Sequence, residues 1–225
     1  MDMEKEQLVI GYAGTLGAFD PDQQQSKGLL SGLKKWIWTY NAESVDFTTR
    51  TGYFLLKGIV AFKDNYPELY PSLKVYLWGK IAALNVQQVK KMGLEDCVLI
   101  EGYISKEKSI ERMNECDVMY MPLESELNGQ QPLFIPGKVY EYIQHHKPVL
   151  ALTGPSDCRE ILERSGLACI AAPREANAIA DQLAFLVSNK RVLKDIFKPD
   201  TAYIESHKAK YSAQKVAAIF DALLG

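Results

Sequence analysis

The chain has 225 residues, 47% of them hydrophobic and 24% charged, with a formal net charge of −2. That is enough to bury one core in one domain, and a 10% aromatic content with 12 tyrosines excludes a disordered segment. The absence of a basic stripe argues against nucleic acid as a partner, and no apolar run approaches the roughly 20 residues that span a bilayer, so only a peripheral membrane contact stays open.

The opening residues Met1–Glu6 are acidic and polar, unlike a secretory signal. The first strand is Leu8–Ala13, ended by Gly14-Thr15-Leu16-Gly17. Two helical patterns follow, Leu29/Leu33/Trp36/Ile37/Tyr40 and Leu55/Ile59/Phe62, and they make residues 18–66 a helical insertion region before the second strand. That strand is Leu73–Trp78, followed by Gly79, and the third is Cys97–Glu101, followed by Gly102. Ser105 is placed to cap a short helix carrying Ile110 and Met113. The fourth strand, Asp117–Met121, leads into a polar loop from Glu124 to Gln131, which contains Glu126.

A helix opens near Pro136, and the fifth strand, Pro148–Leu152, ends in Thr153-Gly154. Asp157 and Glu160 have capping-pair spacing before Ile161. The sixth strand is Leu167–Ala171, and Ile179, Leu183 and Leu186 mark the helix after it. Beyond a break at Pro199, residues 200–225 read as a C-terminal helix with Val216, Ile219, Phe220 and Leu223 on one face.

Most strands are near-continuous apolar runs, as in sheets covered on both faces. Their alternation with helices predicts an α/β fold: a Rossmann-like, doubly wound parallel sheet of about six strands, as one domain spanning residues 1–225 with a long C-terminal helical segment. Cys97, Cys116, Cys158 and Cys169 form neither a C-x-x-C pair nor, with the histidines, a zinc pattern, so no metal site is expected. Free thiols favour a reducing, cytoplasmic setting.

In such a sheet the ligand sits beyond the carboxyl ends of the strands. Gly14, Gly79, Gly102 and Gly154 all fall on that edge, where glycine allows close backbone approach. Gly11, Gly14 and Gly17 do not have dinucleotide-fingerprint spacing, and there is no Walker lysine motif. Phe134-Ile135-Pro136-Gly137-Lys138-Val139-Tyr140-Glu141-Tyr142 is the most informative segment. Pro136 suits the first turn of a helix. Lys138 then opposes the helix dipole, a cost that an anion at the same terminus would offset. Glu141, three residues on, shares its face, and its carboxylate can accept hydrogen bonds from a sugar diol. The alternative for this spacing is a plain Lys138–Glu141 surface pair.

Pro136-Gly137-Lys138-Val139-Tyr140-Glu141-Tyr142, with Lys147-Pro148-Val149 after it, resembles the donor-site signature of the GT-B glycosyltransferases of the large retaining family 4, the group 1 glycosyl transferases. Tyr12-Ala13-Gly14-Thr15-Leu16 and Ile100-Glu101-Gly102-Tyr103-Ile104 resemble its first- and third-strand motifs. The resemblance implies the donor half of such an enzyme. A UDP- or GDP-sugar would be bound as substrate, with no cofactor, for retaining transfer to an acceptor. The acceptor would be held by an N-terminal domain or a partner subunit.

By that resemblance Glu141 binds the ribose hydroxyls, and Lys138 with the N–H groups of Gly137 and Lys138 faces the diphosphate. Gly14 and Thr15 approach the phosphates or sugar, and the backbone near Tyr103 and Ile104 meets the base. Two departures stand out. The family's second glutamate, eight positions before Glu141, is Leu133 here, with Glu124 and Glu126 as nearby substitutes. Its phosphate-binding Arg/Lys pair has three candidates, Lys27, Arg50 and Lys57. A non-catalytic nucleotide-binding or partner-docking module, and a sugar-nucleotide epimerase, are the competing functions.

Overall fold

The computed structural model describes residues 7–21, 45–126, 132 and 134–224. Its strands are β1 (Leu8–Leu16), β2 (Val45–Asp46), β3 (Leu73–Ile81), β4 (Val98–Glu101), β5 (Val118–Pro122), β6 (Ser125–Glu126), β7 (Val149–Leu152) and β8 (Ala168–Ala171). Six of them form one parallel sheet in the order β4-β3-β1-β5-β7-β8. β5 and β7 are buried at every position, the signature of strands covered on both faces. From β1 the chain steps outward through β3 to β4, then returns to the other side of β1 as β5. The strand order therefore reverses between β1 and β5, and that gap is where an open α/β sheet takes its ligand.

The helices are α1 (Tyr53–Asn65), α2 (Ala83–Lys91), α3 (Lys106–Glu115), α4 (Gly137–Gln144), α5 (Asp157–Arg164), α6 (Ala176–Ser188), α7 (Leu193–Ile196), α8 (Thr201–Ser206) and α9 (Ala209–Leu224). α1 touches α2 and α6 on one side of the sheet, while α4 touches α5 and α3 lies on β1. The predicted apolar stripes are the buried ones: Leu55, Ile59 and Phe62 on α1, and Ile179, Leu183 and Leu186 on α6, are all fully enclosed. α1 and α6 pack closely because Gly58 has no Cβ; one added there would overlap the Ile179 side chain.

Several boundaries differ from the sequence pattern. β1 and β3 run three residues further than their apolar stretches, with Gly14–Leu16 paired to Gly79–Ile81. Gly14 and Gly79 thus lie within strands, not in turns after them, because ladder hydrogen bonds need no side chain. Within the region read as a helical insertion, α1 is the ordinary crossover from β1 to β3, and β2 pairs antiparallel with β6. The Leu29–Tyr40 pattern lies outside the described residues.

Ser105 caps α3, accepting from Lys108 N at 3.2 Å. Ser156, not Asp157, caps α5, its Oγ accepting from Arg159 N at 3.2 Å. The predicted single C-terminal helix is broken at His207–Lys208 into α8 and α9. His207 is half-buried there, stacked on Tyr140 and edge-on to Tyr203.

Candidate functional site

The C-terminal edge of the sheet carries a row of three glycines. Gly14 of β1 lies opposite Gly79 of β3, and Gly79 N donates to Gly102 O just past β4 at 3.1 Å. Gly14 has φ +137° and Gly79 φ +114°, and a Cβ on Gly79 would overlap the Gly14 backbone. Gly14 and Gly79 need glycine for conformation, and Gly79 needs it also for the close approach of the two strands, whereas a Cβ on Gly102 would meet open space.

α4 comes down onto this row from across the switch point. Val139, Tyr142 and Ile143 are its buried face, so the i, i+3, i+4 spacing seats the helix, with Lys138 on the flank of that face and Glu141 exposed. The fully buried Tyr142 hydroxyl accepts a hydrogen bond from Ala13 N at 3.1 Å, which ties α4 directly to β1. Pro136 is the N-cap residue, one position earlier than the first turn expected for it, and no side chain caps the helix. The first-turn amides at Gly137 and Lys138 therefore form an uncapped positive helix end.

Lys138 bends over β1. Its Nζ and Cε fill the space a Gly14 side chain would need, and Nζ lies 5.9 Å from the Tyr12 ring centroid. Burial lowers the Lys138 pKa from the usual lysine range and Arg50 lowers it further, while Glu141 acts in the opposite direction. Glu141 is exposed. Tyr12 donates to Thr15 O at 2.6 Å and pins the exposed Thr15 at the end of β1; burial pushes its phenol up to about 12, against the pull of Arg50.

Arg50 joins these residues from the segment after β2. Its Nη1 donates to Glu124 Oε1 at 2.7 Å, and its guanidinium lies 5.9 Å from the Phe134 ring centroid. Glu124 is only 2% exposed, so it is not the solvated loop residue its neighbours suggest, whereas Glu126 on β6 is exposed. Tyr103 projects almost fully exposed beyond β4, with Ile104 half-buried beside it. β4 is two strands from β1, which puts Tyr103 about 10 Å from Gly14 along the edge.

Of the other lysine candidates, Lys57 is not part of this group. Lys57 lines a separate hollow of about 500 Å³ with Asp20, Tyr53 and Gln88, on the α1–α2 side. Lys27 lies outside the described residues, as does Leu133. Among the described residues no group of His, Cys, Asp and Glu could hold a metal ion, and no helix is long and apolar enough to cross a membrane. Sequence reasoning gave no role to Tyr12, Tyr142 or Phe134. Tyr142 alone had a local signal, its place on the buried stripe of α4.

An uncapped helix end, a lysine over the glycine row and an arginine meet at the switch point of a Rossmann-like domain, an arrangement whose chemistry suits an anion. The model of the glycosyl transferases group 1 family matches residues 45–189, and the chain belongs to that family. Its fold is that of one Rossmann-like half of a GT-B enzyme.

Among solved structures, HepE of Anabaena in complex with UDP is 15% identical, with a TM-score of 0.60, covering 97% of this chain and 50% of its own. A glycosyltransferase of Rickettsia africae is 12% identical with a TM-score of 0.64, covering 97% and 48%. WaaG, a glycosyltransferase involved in lipopolysaccharide biosynthesis, is 12% identical with a TM-score of 0.61, covering 95% and 46%. The chain thus spans about half the length of these structures. No curated protein sequence matches it.

Proposed function

We propose that this domain binds the nucleoside diphosphate sugar, UDP- or GDP-linked, from which a glycosyltransferase transfers a hexosyl group with retention to an acceptor held by a second domain or subunit. The observation that carries this reading is the seat of Lys138, over Gly14 and at the uncapped end of α4. A diphosphate there meets the helix amides, the ammonium and the Arg50 guanidinium together. One turn along, Glu141 is exposed and free to accept both ribose hydroxyls. Exposed Tyr103 stands further along the same edge as a surface for the base.

In the reaction the bond from the anomeric carbon to the diphosphate oxygen breaks, and its electron pair leaves on the diphosphate. The acceptor hydroxyl forms the new bond and loses its proton. The contribution of this domain is to hold the leaving group and stabilise the charge that grows on it. Family membership supports the transfer chemistry, and the fold shared with HepE, which has been solved with UDP-glucose, supports the uridine nucleotide. Four buried free thiols fit the cytoplasm as the place of action.

Isothermal titration of the chain with UDP, GDP and ADP tests this. UDP or GDP is expected to bind, with ADP weaker. Failure of all three at millimolar concentration would overturn the proposal.

A further inference from the structure

Arg50 is delivered to the crevice by a segment fastened on both sides of it. Before it, Val45 and Asp46 pair with Glu126 and Ser125 in the β2–β6 ribbon, and Thr49 Oγ1 donates to Leu123 O at 2.7 Å. After it, Thr51 bridges in parallel to Gly17 at the end of β1 and accepts from the buried Tyr120 hydroxyl at 3.2 Å. The backbone around Arg50 is thus bound to the exits of both β1 and β5. Its side chain is fixed by Glu124, a carboxylate with 2% exposure whose Oε1 receives Nη1 at 2.7 Å.

We propose that Glu124 is a positioning residue for the leaving group. It does not touch the nucleotide; it holds the Arg50 guanidinium as the second cation of the diphosphate site, facing Lys138, a role that rests on the nucleotide reading above. A carboxylate this deeply buried is costly unless paired, and Arg50 is its ion-pair partner. Arginine has five donors in a rigid fork, so engaging Nη1 leaves further N–H groups for phosphate oxygens. The guanidinium side of the pair is 37% exposed, and the Phe134 ring bounds it.

Arg50 and Lys138 also repel each other, a smaller cause than burial of the lowered Lys138 pKa. The Glu124 charge offsets that repulsion while the crevice is empty. It also fixes the rotamer, so that binding immobilises less. The same pair could instead only latch the ribbon to the β5 exit, and the two roles separate in binding experiments.

The test is calorimetry of UDP, inorganic diphosphate and uridine with wild type, Glu124→Gln, Arg50→Ala and the double variant, alongside thermal melts. Glu124→Gln is expected to weaken UDP and diphosphate about 10-fold, the size of coupling within one hydrogen-bond network. Uridine binding should be unchanged, and the substitution should add nothing in the Arg50→Ala background. Equal losses with and without Arg50, or equal losses of uridine and UDP, would overturn the positioning role. So would full UDP affinity in Glu124→Gln when Arg50→Ala is impaired.

If Glu124→Gln melts far below wild type, Arg50→Lys, which keeps the charge without the fork, takes its place. It is expected to bind diphosphate more weakly than wild type but more tightly than Arg50→Ala, having kept the charge and lost the spare N–H groups, and wild-type affinity would overturn the role. A wild-type protein that binds neither UDP nor diphosphate sinks the nucleotide reading together with this role. Wild-type binding with an indifferent Glu124→Gln sinks this role alone.

Discussion

The Lys138 ammonium lies where a side chain on Gly14 would have to go. The strand end and the helix end are therefore matched to each other: the bare glycine makes room for the cation, and the cation closes the crevice over the backbone. Gly14→Ala breaks the match twice, since φ +137° favours glycine and the new Cβ overlaps Nζ and Cε. We expect a stability loss of about 1–3 kcal/mol, typical of a strained backbone position, measurable as a lower Tm. UDP affinity should fall at the same time, because Lys138 must move. An unchanged affinity with a lowered Tm would mean that Lys138 does not contact the ligand.

A second tie between the same two elements is hidden from solvent. Ala13 N donates to the Tyr142 hydroxyl inside the core. Tyr142→Phe leaves that amide buried and unpaired, which costs about 1–3 kcal/mol. The expected result is a Tm several degrees below wild type with the spectroscopic fold intact. UDP should also bind less tightly, since α4 loses its direct bond to β1. A melt that superimposes on wild type would show that the amide finds another partner.

How much of this was legible in the sequence follows from range. The strands, α1, α6 and the Pro136–Tyr142 block announce themselves through local spacing, because Val139, Tyr142 and Ile143 repeat on one helical face. The Glu124–Arg50 pair joins residues 74 positions apart, and Tyr142–Ala13 joins residues 129 apart. Neither leaves a local trace. β2 and β6 are two residues each, too short for any periodicity, so Glu124 looked like one acid in a polar loop. The break between α8 and α9 was missed because His207 gives no sequence sign of its stacking on Tyr140.

The lowered pKa of Lys138 carries a sign that can be tested. Burial, abetted by Arg50, makes its ammonium less favourable in the folded chain than in the unfolded one. The folded group releases its proton at lower pH, so Lys138 costs stability at neutral pH. That cost is relieved as pH rises from the lowered folded pKa towards the unfolded value of 10.5. Lys138→Met is therefore expected to melt above wild type at pH 7 without ligand, with the gap closing as pH rises towards 10.5. UDP affinity should drop roughly 10- to 100-fold, the loss of one charge-assisted hydrogen bond. Wild-type affinity should fall as pH climbs through the lowered pKa, and the variant should lose that dependence. Thermal melts and titrations across the alkaline range check both; a destabilised Lys138→Met would reverse the assignment.

Glu141 separates the pentose from the diphosphate. It is exposed, so Glu141→Ala is expected to change stability by less than about 0.5 kcal/mol. A carboxylate accepting from two vicinal hydroxyls contributes charge-assisted bonds, and their loss should weaken UDP about 10-fold or more. The sharper readout is a comparison of UDP with 2′-deoxy-UDP. Wild type is expected to favour the ribose form, because the diol offers two donors to one carboxylate. Glu141→Ala should bind both forms equally and should bind inorganic diphosphate like wild type, since Lys138 and the helix amides are untouched. If the ratio of UDP to 2′-deoxy-UDP affinity survives the substitution, the ribose lies elsewhere on the edge. If inorganic diphosphate is lost along with UDP, Glu141 acts through Lys138, whose charge it favours, and not on the sugar ring.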